Sequence, residues 1–177
     1  MSGLAEQVRP SVAATRTRPA RPRVYTPDQR RRRDASRWTL VQGLLAPVQF
    51  LVFLVSLVLV LRYLVTGTGY AAATLSVVIK TLTLYAIMIT GSIWERVVFG
   101  KYLFAPSFLW EDVFSMLVLA LHTAYLVALG TGGLGPAALM LLALAAYAAY
   151  VVNAAQFLAK LRQARREERE DRMVAAA

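Results

Sequence analysis

Residues 40–61 read LVQGLLAPVQFLVFLVSLVLVL, twenty-two positions without a charged side chain, with Arg37 shortly before them and Arg62 directly after. A helix rises about 1.5 Å per residue, so this stretch is long enough to cross a hydrocarbon layer ~30 Å thick. Three more apolar runs follow, at about 70–98, 113–129 and 136–159. Lys80 is the one charge of the second run before Glu95. The connections 66–69 (TGTG) and 130–135 (GTGGLG) carry no charge, whereas the connection between the second and third runs carries Arg96 and Lys101 with Pro106.

The whole chain agrees with its first apolar run. Its 177 residues are 58% hydrophobic and 17% charged, more apolar and less charged than soluble domains. Mean hydropathy is +0.51. The net charge of +10 is concentrated at the ends: ten of the 20 Lys and Arg precede Trp38 and six lie at or beyond Lys160. Basic residues flanking apolar spans mark cytoplasmic segments, which puts the N-terminus, the middle connection and the C-terminus on that side. The expected fold is therefore an all-α integral membrane protein with four transmembrane helices and both termini cytoplasmic. Its expected divisions are a disordered basic tail (1–24), an interfacial Arg-rich segment (25–38), the four-helix transmembrane domain (39–160) and a charged C-terminal tail (161–177).

Within the interfacial segment Thr26 is a helix N-cap with Pro27 at the first helical position, so a short helix is expected over Gln29–Ser36. Arg30–Arg33 suit phosphate headgroups, and their place beside an apolar run favours lipid over nucleic acid. The Arg/Glu-rich stretch after Leu161 is expected to prolong the fourth helix as a solvated face. Absent residues exclude several chemistries. With no Cys there is no disulfide, thiolate zinc, iron–sulfur cluster or thiol nucleophile. A single His rules out bis-histidine haem within one chain. No phosphate-binding Gly motif occurs, and the Gly-rich 130–135 followed by Pro136 reads as a turn. The first apolar run lies behind a long Arg-rich segment with no cleavage site after it, so no signal peptide is expected.

Polar residues inside apolar spans are costly unless partnered or functional. Gln42, Gln49, Ser56 and Tyr63 recur every seven residues and share one stripe, for interhelical hydrogen bonds or for lining a substrate site. Lys80 lies near mid-membrane, too deep to snorkel, and needs a partner, an anionic ligand or loss of its charge. Trp94-Glu95-Arg96 and Trp110-Glu111-Asp112 bracket the middle connection. They read either as interfacial belts with local ion pairs or as an acid site, since a carboxyl beside an indole in low dielectric can keep its proton to neutral pH and then donate it. Glu111 and His122 are 11 residues apart, on one helix face within about 20°, with Ser115 between them. Opposed helices put His122 and Lys80 at similar depth, and Asn153 with Gln156 forms a polar edge near the carboxylates. A site for a large, flat, amphipathic molecule is expected in the cytoplasmic half of the bundle.

Three long stretches carry a resemblance: YTPDQRRRRDASRWTLVQGLLAPVQFLVFLVSLVLVLRYL, YAIMITGSIWERVVFGKYLFAPSFLWEDVFSMLVLALHTAYL and LALAAYAAYVVNAAQFLAKLR. Between Tyr25 and about Arg162 the chain resembles the bacteriochlorophyllide 3-vinyl (2-vinyl in older numbering) hydratase family of anoxygenic phototrophs. The resemblance implies a lyase of bacteriochlorophyll biosynthesis in the bacterial inner membrane. It would add water to the 3-vinyl group of chlorophyllide a, or of its bacteriochlorin counterpart, to give a 1-hydroxyethyl group. Such a hydration needs an acid, a base and water but no cofactor, magnesium entering only as part of the substrate pigment. Residue chemistry offers Glu95, Glu111 and Asp112 as acid and base, undivided, and His122 as base or as axial ligand to the pigment's magnesium. Lys80, Arg96 and Lys101 are candidates to hold the substrate's propionate, with Trp94, Trp110, Asn153 and Gln156 lining the site. The expected partners are a tetrapyrrole and membrane lipid, not nucleic acid, and a homo-oligomer or association with other pigment-synthesis enzymes stays open. A non-enzymatic pigment-binding or assembly protein would need only His122 and apolar walls, which leaves the surplus carboxylates unexplained. A small four-helix exporter would need a carboxylate in its first span, and that span has none.

Overall fold

The computed structural model describes residues 23–176 and contains five helices and, among those residues, no strand. They are α1 (Pro27–Ala35), α2 (Arg37–Thr66), α3 (Tyr70–Phe99), α4 (Leu109–Thr131) and α5 (Pro136–Ala175). α1 starts where the sequence places it: the Thr26 hydroxyl accepts from the Gln29 amide, the Gln29 side chain accepts from the Thr26 amide, and Pro27 fills the first turn. Ser36 caps α2, and Gly67 ends that helix in the left-handed conformation (φ 71°), which a Cβ would penalise.

α2 to α5 are each long and apolar enough to cross a membrane. Only 22–39% of their most apolar stretches is buried within the protein. Leu40, Leu44, Val58 and Val65 are each more than 60% exposed, an apolar surface of the kind that a membrane or another protein covers. The expected spans correspond to these helices, which run further than the apolar runs. α2 packs against α3 and α4 against α5, and α5 also touches α2 and α3. The main core joins Phe53 and Val60 of α2, Val77 and Leu84 of α3, Tyr125 of α4 and Met140 and Tyr147 of α5.

The heptad stripe of α2 fastens the bundle. Gln42 donates to Thr90 (2.7 Å), and Ser56 bonds Ser76 of α3 (2.7 Å) and Tyr147 of α5 (2.5 Å). Tyr63 packs on Tyr70. Gln42 and Ser56 of this stripe thus make the expected interhelical hydrogen bonds, and Tyr63 makes an aromatic contact.

A second cluster closes the opposite end from the two Gly-containing turns. Tyr25 stacks on Phe99 and meets Phe108, with Val24, Val98, Ala164 and Trp94 around them. Here the structure departs from two expectations. Arg33 pairs with Glu168 (2.6 Å) and Arg30 with Asp171 (2.9 Å), so two of the four consecutive arginines hold the extension of α5. That extension is helical as expected, but its acidic residues clasp α1, because the helix continues far enough to meet the incoming chain. Arg23 also reaches Asp171 (3.0 Å) and Val24 donates its amide to Glu167 (3.1 Å), so Arg23 and Val24, placed by the sequence in the basic tail, pack on α5. The rest of the expected basic tail, 1–22, lies outside the described residues.

Candidate functional site

Above the main core, at the end closed by α1, the α3–α4 connection folds back over the bundle. Gly100 ends α3 at φ 81°, and Phe104 adopts φ 60°, a left-handed conformation uncommon for a residue with a Cβ. A turn of this kind aims successive amides to one side as a cradle for anions. The Phe104 amide donates to Asp112 Oδ2 (2.7 Å) and the Ala105 amide to Glu95 Oε2 (3.5 Å). Glu95, near the end of α3, and Asp112, from the first turn of α4, are thereby brought together, each accepting from its own amide of the connection. Both are buried, at 5% and 3% exposure.

Glu111 is also buried and meets Lys160 of α5 at 3.4 Å. The Lys160 ammonium lies 5.8 Å from the centre of the Phe108 ring, which stacks on Phe157. One turn deeper on α4, Ser115 accepts from the Asn153 amide nitrogen (2.9 Å). Asn153 Oδ1 and Gln156 Oε1 are buried and have no hydrogen-bond partner. Glu111, Ser115, Val118, His122 and Tyr125 form one buried face of α4, the face that the 11-residue spacing defines.

Lys80 and His122 lie deeper still. Lys80 is fully enclosed, its ammonium 3.9 Å from the centre of the Tyr150 ring. The Gln49 amide, in the orientation that satisfies both its ends, accepts from Lys80 Nζ (3.1 Å) and donates to the Thr83 carbonyl (2.9 Å). His122 Nδ1 bonds the Val118 carbonyl (2.8 Å), and a carbonyl only accepts, so Nδ1 carries the hydrogen and Nε2 is left without a partner. Its ring is 5.9 Å from that of Tyr147.

The structure thus gathers Glu95 and Asp112 under the connection, and sets Glu111, Asn153 and Gln156 beside them along the α4–α5 seam. Lys80 and His122 form a separate, deeper layer. Trp94 stands at the edge of the site, donating to the Thr39 hydroxyl (3.0 Å) and meeting Phe99 and Phe108 edge-on. Trp110, at 68% exposure, points outward instead. Arg96 bonds the Gly100 carbonyl and lies over the Tyr102 ring, and Lys101 is exposed. Lys160, Gln49 and Tyr150 also belong to these layers. Lys160 was detectable, being seven residues beyond Asn153 on the same stripe.

Outside the apolar spans, Tyr25 has its phenol pushed up to about 12, first by burial, with Arg33 opposing. The Arg33 guanidinium lies 4.9 Å from that ring's centre.

Fold and site together define a helical bundle with four helices long and apolar enough to cross a membrane and a carboxyl pair set into one end. The family model described as 2-vinyl bacteriochlorophyllide hydratase matches residues 25–163, and the chain belongs to that family of hydro-lyases. Its relatives include a 2-vinyl bacteriochlorophyllide hydratase of Cereibacter sphaeroides, 71% identical over 118 residues, 66% of this chain and 74% of that one. A protein of the same name from Rhodobacter capsulatus is 68% identical over 114 residues, 64% of this chain and 67% of its own. No solved structure matches the chain.

Proposed function

We propose that this protein adds water to the 3-vinyl group of chlorophyllide a, or of 3-vinyl bacteriochlorophyllide a, giving the 3-(1-hydroxyethyl) pigment. Family membership supports the reaction class. The observation that carries the mechanism is the buried Glu95–Asp112 pair, held by the successive Phe104 and Ala105 amides. Two carboxyls buried close together share a proton rather than both ionising, and that proton can be given to a carbon base.

In the proposed reaction the vinyl π electrons take this proton at the terminal CH2, which becomes the methyl group. The positive charge falls on the adjacent carbon, where the conjugated macrocycle delocalises it. Water then forms the C–O bond to that carbon and releases a proton to a base, which returns the site to its starting charge. Glu111 is suited to be that base, on the same buried face as Ser115 and beside Lys160. Acid, base and water suffice, so the proposed chemistry calls for no cofactor. Arg96 and Lys101, at the mouth, are the proposed holders of the propionate, because Lys80 is enclosed by Gln49 and Tyr150. We assign His122 no part in the proton transfers.

The end with α1, the connection and the α5 extension carries most of the basic residues, which supports its facing the cytoplasm across the bacterial inner membrane. The test is incubation of membranes containing the chain with chlorophyllide a, followed by chromatography and mass spectrometry. A product heavier by one water, with its red absorption band shifted to the blue, is expected. Pigment that binds but never gains water contradicts the reading.

A further inference from the structure

Asn153 and Gln156 sit one turn apart on α5, on neighbouring positions of its surface. Asn153 donates one amide hydrogen to Ser115, and its carbonyl oxygen is buried with nothing to accept from; the Gln156 carbonyl oxygen is in the same condition. Buried polar atoms are costly when unsatisfied, and two unsatisfied acceptors together call for a molecule that donates twice. A water molecule does so, and a water that gives both hydrogens to acceptors presents its lone pairs elsewhere, which is the posture of a nucleophile.

Resting on the hydratase reading, we infer that Asn153 and Gln156 hold the water that is added to the vinyl group. Asn153 is tied to Ser115, one helical turn below Glu111, which sets this water on the α4–α5 seam beside the acid pair. When the lone pair forms the C–O bond, the oxygen carries two O–H bonds. One stays as the alcohol on its amide oxygen; the other turns from its amide to Glu111 as the C–O bond forms and breaks there, its proton passing to that carboxylate. The amides orient the water and take no proton, so they are positioning residues for the second step and have no part in the first.

That division gives a readout that a merely structural role would not move. In D2O the acid step puts one deuterium on the terminal carbon. If no water attacks, the cation returns a proton or a deuteron from that carbon, and the recovered vinyl pigment keeps label. Gln156→Met removes the acceptor at nearly constant size, from a side chain whose oxygen has no hydrogen-bond partner. Full-length Gln156→Met in membranes with chlorophyllide a in D2O is expected to hydrate about 10- to 100-fold more slowly. The recovered substrate should carry deuterium on its vinyl CH2. Gln156→Glu keeps an oxygen at the same place and should restore much of the rate, and Asn153→Leu should repeat the Gln156→Met pattern. Undiminished hydration in Gln156→Met and Asn153→Leu, or slower hydration without label in the recovered vinyl group, overturns the water site while the hydratase reading stands. Failure of the unchanged chain to hydrate overturns both.

Discussion

Asp112 has two jobs that can be separated by substitution. One oxygen accepts the Phe104 amide at 2.7 Å and so holds the connection, while in the proposed mechanism the carboxyl shares a proton with Glu95. Asp112→Asn keeps an oxygen for Phe104 and offers Glu95 an amide hydrogen, which does not transfer. The fold should survive, whereas catalysis should fall by about 10²–10⁴-fold, the contribution of a positioned general acid. Asp112→Ala removes both. The Phe104 amide is part-buried, so losing its acceptor costs about 1–2 kcal/mol, the lower part of the range for an orphaned donor. The left-handed Phe104, itself held at a cost of about 1–2 kcal/mol, then loses the bond that holds it there. A chain of this size shifts its melting temperature by roughly 2–4 °C per kcal/mol, so Asp112→Ala should melt several degrees lower in detergent and Asp112→Asn close to the unchanged protein. The assay pairs melting with hydration rate for both variants. An Asp112→Asn protein that hydrates at the normal rate refutes the shared-proton role, and one that melts as low as Asp112→Ala refutes the division of labour.

Three other outcomes follow from the packing. Gln49→Leu leaves the enclosed Lys80 ammonium without its oxygen partner and should destabilise the bundle by about 2–3 kcal/mol; Gln49→Glu supplies a counter-charge and should be tolerated, as read by thermal melting of the two proteins. Ser56→Ala cuts α2 from both Ser76 and Tyr147 and should cost about 1 kcal/mol in a denaturation series, with no effect on the order of hydration products. Arg33→Glu and Glu168→Arg should each loosen α1 and raise its proteolysis, and together should recover part of the loss. A coupling of about 1 kcal/mol is expected, shrinking at high salt, since both side chains are only partly exposed.

What the sequence disclosed follows from the range of the forces involved. The four long apolar helices were readable because hydrophobic length is a local property, and Thr26-Pro27 because capping acts within one turn. The Gln42–Gln49–Ser56–Tyr63 stripe was readable because a seven-residue repeat nearly matches two helical turns, although its partners Thr90, Ser76 and Tyr147 were not. The Glu95–Asp112 pairing depends on one left-handed residue, Phe104, in an irregular connection, and no periodicity announces that. The clasp was hidden for another reason. Arg33 and Glu168 lie 135 residues apart, and charge runs advertise solvation far more strongly than they advertise a chosen partner. Gln49 was visible as a polar intruder, Lys80 as a costly charge, and only folding shows that each answers the other.

The central claim is that a proton from the carboxyl pair reaches the terminal vinyl carbon before water reaches its neighbour. It is tested most directly by hydrating chlorophyllide a in D2O with membranes containing the unchanged chain, then locating deuterium in the product. The new methyl group should carry carbon-bound deuterium that does not wash out in ordinary water, and Glu95→Gln should abolish both the label and the product. A hydroxyethyl product whose methyl group contains no deuterium would contradict the mechanism.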